Sequence, residues 1–386
     1  MTGAAPRAAA HLESARAGSG PDEKHGDRRS ARLSALRSEL TSAGLDALLV
    51  THAPNVQYLT GFSGSSGLLL VAHDAAFLVT DFRYRTQARE QVSGVAEVQI
   101  GETSLWSRLW TTLPRLAAVR TVGFDSANVS HADYQRFAEA GAPWRWQSTS
   151  GLVESLRQRK DAGEVAHIRT AIAIAESALH ATVPAIRAGM TEFEVAAILE
   201  CALRQRGSEA HPFEAIVASG ERSALPHARS SARRLRPGEF LVLDFGATSG
   251  GYCADITRTF VVGKATQSHH DTYDVVREAN ATACLGVVAG MRGCDADAIA
   301  REHIAGCGLG AEFGHSLGHG IGIEVHEKPL LARTADAPLP VDSVVTIEPG
   351  VYREGWGGVR IEDDVHLGLG RTEVLTVFPR ELIEVG

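Results

Sequence analysis

Residues 241–260 read LVLDFGATSGGYCADITRTF. Two apolar runs flank a glycine-bearing turn, the pattern of a β-hairpin. Asp244 interrupts the first run and Asp255 the second, at positions where apolar residues belong. A second stretch, VVTIEPGVYREGWGGVRIEDDV at 344–365, repeats the feature with Glu348 and Glu362. A buried carboxylate without a partner is costly, and four on adjoining strands repel one another. Arginine partners or solvent faces would account for single acids. For four acids together, a bound cation is the better account, and two acids bridging two cations suit so high a charge. Carboxylate-rich ligation with one imidazole favours Mn, Co, Fe or Zn.

The imidazole is sought in HSLGHGIGIEVHE, residues 315–327. Glycines at 318, 320 and 322 argue against a helix, each costing roughly 1 kcal/mol there relative to alanine. The helical HExxH zinc motif is thereby excluded. The stretch reads as a glycine-loosened strand in which backbone approaches another group closely. On such a strand His315 and His319 share a face, and His326 has the opposite parity. If His319 binds a metal, its fellow ligands come from distant sequence.

A length of 386 residues makes two domains the prior, and 44% hydrophobic content suits a sizeable core. A net charge of −8 and a pI near 6.1 give no nucleic-acid footprint. Five cysteines without a CxxC pair point to reduced thiols and a cytoplasmic protein. No apolar run approaches the roughly 20 residues of a membrane span.

Residues 1–30, rich in Ala, Gly, Arg and Ser, read as a disordered tail without the apolar region of a secretory signal. Residues 31–155 read as an α/β domain. Leu33, Leu36 and Leu40 mark its first helix, LDALLVTH a strand, and LLLVA with AAFLVT a strand pair. Residues 156–386 read as an α+β domain. A helical stretch runs from 153 to about 186, with Val165, Ile168, Ile172 and Ala175 on one face. Thr191 and Glu194 form a capping box that starts the next helix. Further helices are expected at about 270–290 and 295–306. A helix and an acid-bearing hairpin at 191–260 are echoed by another helix and hairpin at 295–367.

In this order, LDFGATSGGYCADITRTF, HSLGHGIGIEVHE, TIEPG and VRIED resemble the pita-bread metallopeptidases, a family that includes methionine aminopeptidase, aminopeptidase P, prolidase and the metal-free creatinase. YLTGFSGSSGLLLV and LVTDFRY resemble the creatinase-type first domain of the Xaa-Pro peptidases, an α/β, ribonuclease H-like fold. The resemblance covers nearly everything after the tail. It implies two divalent metal ions, Mn first and Zn or Co as alternatives, held by Asp244, Asp255, His319, Glu348 and Glu362. Asp255 and Glu362 would bridge them. It further implies attack on the scissile carbonyl by a metal-activated hydroxide, with Glu348 shuttling the proton.

The same resemblance makes His227 a substrate-binding histidine, His326 the group that stabilises the tetrahedral intermediate, and His315 part of the pocket beyond the scissile bond. Arg360, two residues before Glu362 and on its face, would orient a metal carboxylate or contact substrate. Asp363, on the opposite face, is expected to be structural, whereas Asp364 shares the face of Glu362. Arg333 could bind a dipeptide's carboxylate, though a solvated loop arginine is the better reading there. The implied activity is hydrolysis of the bond between an N-terminal residue and proline in di- or oligopeptides, with a slight lean to the Xaa-Pro dipeptidase over aminopeptidase P. A homodimer is expected. Intact ligand positions disfavour a metal-free hydrolase and a non-catalytic peptide-binding module; the first domain and Arg360 disfavour a methionine aminopeptidase.

Overall fold

The computed structural model describes residues 21–140 and 143–386. Residues 1–20 of the expected tail lie outside the described residues. Residues 21–30 belong instead to a helix, Pro21–Ser42. Leu33, Leu36 and Leu40 are buried on one face of it. The polar stretch before them continues the helix in spite of Gly26, which costs roughly 1 kcal/mol relative to alanine, and proline is tolerated at a helix start. The chain divides into two compact units, Met1–Leu152 and Val153–Gly386.

The first unit is built on β1 (Ala47–Val50), β2 (Gly67–Ala72), β3 (Ala76–Asp81), β4 (Glu97–Gly101), β5 (Thr121–Asp125) and β6 (Arg145–Thr149), ordered β4-β3-β2-β1-β5-β6. β2 runs antiparallel to both its neighbours, and the remaining pairings are parallel. The hairpin read from LLLVA and AAFLVT is β2–β3, with Leu69 opposite Leu78. Leu49, Leu70, Val79 and Val122 fill its core.

The second unit begins with a short helix, Leu152–Arg157, followed by two longer ones, Ala162–Thr182 and Glu192–Gln205. The helical stretch expected from 153 is broken, because Asp161 caps a new helix start. Its side chain accepts from the Gly163 and Glu164 amides, and Glu164 bonds back to the Asp161 amide. Thr191 and Glu194 form the second capping box. Strands β7 (Ile216–Ser219), β8 (Glu239–Phe245), β9 (Thr248–Ser249), β10 (Tyr252–Cys253) and β11 (Ile256–Val262) follow. Then come helices Gln267–Gly286 and Gly293–Gly306. The chain continues through β12 (Gly318–Gly320), β13 (Glu327–Leu331), β14 (Ser343–Ile347), β15 (Gly350–Arg353), β16 (Gly357–Arg360), β17 (Asp363–Gly368), β18 (Arg371–Val374) and β19 (Ile383–Val385). One sheet has the order β19-β11-β8-β7 and another β13-β12-β14-β17-β18.

The echo in the sequence corresponds to two cores. Ile168, Ile172 and Leu199 of the first helix pair pack with Leu243 and Phe245 of β8. Val276, Ala283 and Ala300 of the later pair pack with Val345 and Ile361. A buried ion pair joins the two sheets: Arg258 of β11 donates to Asp363 at 2.8 Å and to the Glu362 carbonyl at 2.6 Å. Arg380 grips the other Asp363 oxygen at 2.6 Å. Among the described residues no helix is long and apolar enough to cross a membrane, and the five cysteines are free thiols.

Candidate metal centre

Most of the acids sit where strands break. Asp255 lies between β10 and β11, Glu348 between β14 and β15, and Glu362 between β16 and β17. Each long strand expected through 344–365 is therefore two short ones, which frees the acid from the ladder. Only Asp244 lies within a strand, β8, opposite Thr257 of β11.

The histidine-rich stretch also departs from expectation. Its strand is just Gly318–Gly320, after which the chain turns back into β13, pairing Gly320 with Glu327. Strand parity thus does not govern His326. The reversal carries its ring to 4.4 Å, centroid to centroid, from that of His319. The glycines act as the spacing suggests. A Cβ on Gly318 would stand 2.0 Å from the Thr346 carbonyl oxygen, and one on Gly320 2.2 Å from that of Lys328.

Asp255, His319 and Glu362 each present a ligand atom, all within 4.8 Å of one another and all buried. His319 Nε2 also lies 3.5 Å from Glu348 Oε1 and 3.9 Å from Asp255 Oδ2. Its Nδ1 faces the Gly320 carbonyl at 3.0 Å, which assigns the proton to Nδ1 and leaves the Nε2 lone pair for a metal. Burial and the adjacent His326 push His319 down to about 4, so it is neutral at neutral pH.

Burial, then Glu362 and Asp244, hold Asp255 well above the usual carboxylate range. Glu348 is raised by burial and Glu362, and Glu362 is pushed up to about 8 by burial and Asp244. One oxygen of Asp244 takes a 2.5 Å ion pair from Arg360. Its other oxygen, and Asp255 Oδ1, are buried without a hydrogen-bond partner. A divalent cation would supply both the missing charge and the missing partners, so this group fits a metal site.

The five expected ligands line one cavity of about 440 Å³, together with His227, His315, His326 and Arg360. Arg360 is buried and donates to Asp244, to Thr257 Oγ1 at 3.1 Å and to Tyr352 Oη at 2.8 Å. Thr257 Oγ1 in turn donates to Glu362 at 2.7 Å. Tyr352 also hydrogen-bonds His315 Nε2 at 2.8 Å, while His315 Nδ1 faces the Ser316 carbonyl. Burial pushes His315 down to about 4.

Asp363 pairs with Arg258 and Arg380 and is fully buried. Asp364 accepts from the Asp255 amide at 3.2 Å, and burial with Glu362 raises it well above the usual range. Arg333 does not join the site: it is exposed and absent from the cavity lining. That exposure agrees with the solvated loop arginine favoured by the sequence over a carboxylate-binding role.

Several residues at the site escaped the sequence reading. Thr257, two residues after Asp255, shares its parity, and that spacing was a usable signal. Tyr352 lies opposite Gly358, where a Cβ would meet its ring at 2.7 Å, so a cross-strand glycine makes room for it. Glu214 and Arg229 reach the cavity from loops and left no pattern.

Residues 166–368 match the profile of metallopeptidase family M24, and residues 32–159 that of the creatinase/prolidase N-terminal domain. The solved structure of an Xaa-Pro dipeptidase from Bacillus anthracis superposes with a TM-score of 0.89 at 39% identity, over 92% of this chain and 100% of that one. An X-Pro aminopeptidase from Thermotoga maritima does so with a TM-score of 0.85, also at 39% identity, over 92% and 99%. An Xaa-Pro dipeptidase of Pyrococcus horikoshii is 33% identical over 341 residues, 88% of this chain and 95% of that protein. The buried Asp–His–Glu group thus stands in a fold shared over about nine-tenths of this chain with these peptidases, and the chain belongs to metallopeptidase family M24, with a creatinase/prolidase N-terminal domain.

Proposed function

We propose that this metallopeptidase hydrolyses the bond between an N-terminal residue and a following proline, with a lean towards Xaa-Pro dipeptides. The observation that carries the reading is the convergence of Asp255, His319 and Glu362 within 4.8 Å, in a cavity walled by His227, His315, His326 and Arg360. Asp244, Asp255, His319, Glu348 and Glu362 would hold two divalent ions, manganese first. Such ions, when bound, lower the pKa of water and neutralise charge developing on the scissile carbonyl.

The protein's own groups do the rest. Glu348 carries the proton from the attacking water to the departing proline nitrogen. His326 donates a hydrogen bond to the carbonyl oxygen as it gains charge. His227 binds the substrate backbone, and His315 lines the pocket past the scissile bond. Arg360 keeps Asp244 oriented through their ion pair and supports Glu362 through Thr257. Free thiols on all five cysteines suit a cytoplasmic enzyme.

A second reading, aminopeptidase P acting on longer peptides, has a specific support. The Bacillus dipeptidase and the Thermotoga aminopeptidase are equally similar in sequence to this chain. Hydrolysis of Ala-Pro and Ala-Pro-Ala by chelator-stripped enzyme, with and without Mn²⁺, separates the two. Cleavage of the dipeptide alone, restored by metal, is expected. Cleavage of the tripeptide would establish the aminopeptidase. Failure on both peptides with every divalent metal would end the peptidase reading.

A further inference from the structure

The His326 ring takes part in no hydrogen bond among the described residues; it packs against the His319 ring and is otherwise carried by its turn. That turn is anchored one residue later. The Glu327 carboxylate is only 6% exposed and meets two cations, Arg157 Nη2 at 2.5 Å and Lys160 Nζ at 3.3 Å. Both cations are themselves buried, at 3% and 1% side-chain exposure. Arg157 also reaches Glu324 at 2.8 Å, and the Glu324 amide donates to Glu327 Oε1 at 3.0 Å, which closes the turn on itself. The packing leaves little slack, since a Cβ on Gly322 would stand 2.8 Å from the same carboxylate.

The cations are fixed at their own end too. The Lys160 amide donates to the Asp342 carbonyl at 2.8 Å, and the neighbouring Asp161 caps the helix Ala162–Thr182. Burial alone would raise Glu327, yet Lys160 and Arg157 outweigh it and hold the group below its ordinary range, as a carboxylate. Desolvating this many charges is an expensive way to fasten a turn, because apolar packing of similar volume stabilises as well or better. What ion pairs add is a defined geometry, and the adjacent group whose geometry matters is His326.

We propose that Arg157 and Lys160, acting through Glu327, are positioning residues that set the His326 imidazole against the metal centre. The proposal rests on the reading of His326 as a catalytic group. Its test is a double-mutant cycle in Mn²⁺-loaded full-length enzyme, with Glu327→Gln, His326→Ala and both together, assayed on the better of Ala-Pro and Ala-Pro-Ala. Glu327→Gln is expected to lower kcat roughly 10- to 100-fold with KM little changed and metal content retained. In the His326→Ala background the same change is expected to cost almost nothing, because the group it positions is gone. An equal loss in both backgrounds would overturn the proposal. Wild-type turnover by His326→Ala would instead remove the catalytic reading of that histidine, a separate failure. Should Glu327→Gln not fold, Lys160→Met, which keeps the Arg157–Glu327 pair, takes its place in the cycle under the same two criteria.

Discussion

Asp255, Glu348 and Glu362 are acids placed where ionisation is unfavourable until a cation arrives. Glu362 has a folded-state pKa of about 8 against an ordinary 4.5. The metal-free folded protein therefore binds more protons than the unfolded chain between those values. Stability from this group is full below about 4.5 and is lost as pH rises through about 8. The melting temperature of chelator-stripped protein is thus expected to fall between about pH 5 and about pH 8 and to level off above that, the window that linkage sets. Saturating Mn²⁺ should remove most of that slope, since bound metal charge keeps the carboxylates ionised. Glu362→Gln should flatten it without metal. A pH-independent melt of the stripped wild-type protein would mean that the acids are not held in mutual repulsion. Asp363, beside Glu362, shows the contrast: with Arg258 and Arg380 against it, its carboxyl stays below the usual range although burial opposes this.

At the scale of elements, the site depends on short strands and close backbones. β12 is three residues long and carries His319 between two glycines. Gly320→Ala would drive a Cβ to 2.2 Å from the Lys328 carbonyl oxygen, a rigid backbone atom. The strand must shift, and the expected cost is about 1–3 kcal/mol or more in urea denaturation, with weaker Mn²⁺ binding because His319 moves too. Gly306→Ala is the control. It ends the helix Gly293–Gly306, and nothing lies within 4 Å of its added Cβ. It should be neutral or stabilising by up to about 1 kcal/mol. Equal effects of the two substitutions would show that close approach at β12 is unimportant. The capping boxes at Asp161 and Thr191 belong to this scale as well, and Thr191 was legible in advance because S/T-x-x-E is a local signal.

At the scale of the molecule, every residue lining the cavity comes from the second unit, Val153–Gly386, yet from segments far apart in sequence. Thr257 and Glu362 are 105 residues apart when they hydrogen-bond, and Arg360 and Asp244 are 116 apart. A homodimer is expected from the family resemblance, so light scattering should return twice the 41.0 kDa chain mass. A monomeric particle would end that expectation and leave substrate closure to this chain alone.

The sequence by itself determined the kinds of residue at the site and the local structure around them. Acids in apolar runs, glycines at alternate positions and a capping box are patterns of period and spacing, and they are written within a few residues. They were enough to mark Asp244, Asp255, Glu348 and Glu362 and to separate Asp363 from Asp364 by face, whereas the choice of His319 among three histidines came from the family resemblance. Only the tertiary structure decided where strands break at the acids, that the chain turns His326 back over His319, and that Arg333 stays outside. It alone brought Tyr352, Thr257, Arg157 and Lys160 to their partners. These outcomes depend on packing between segments more than a hundred residues apart in several cases, and short-range periodicity carries no record of which distant surfaces will meet.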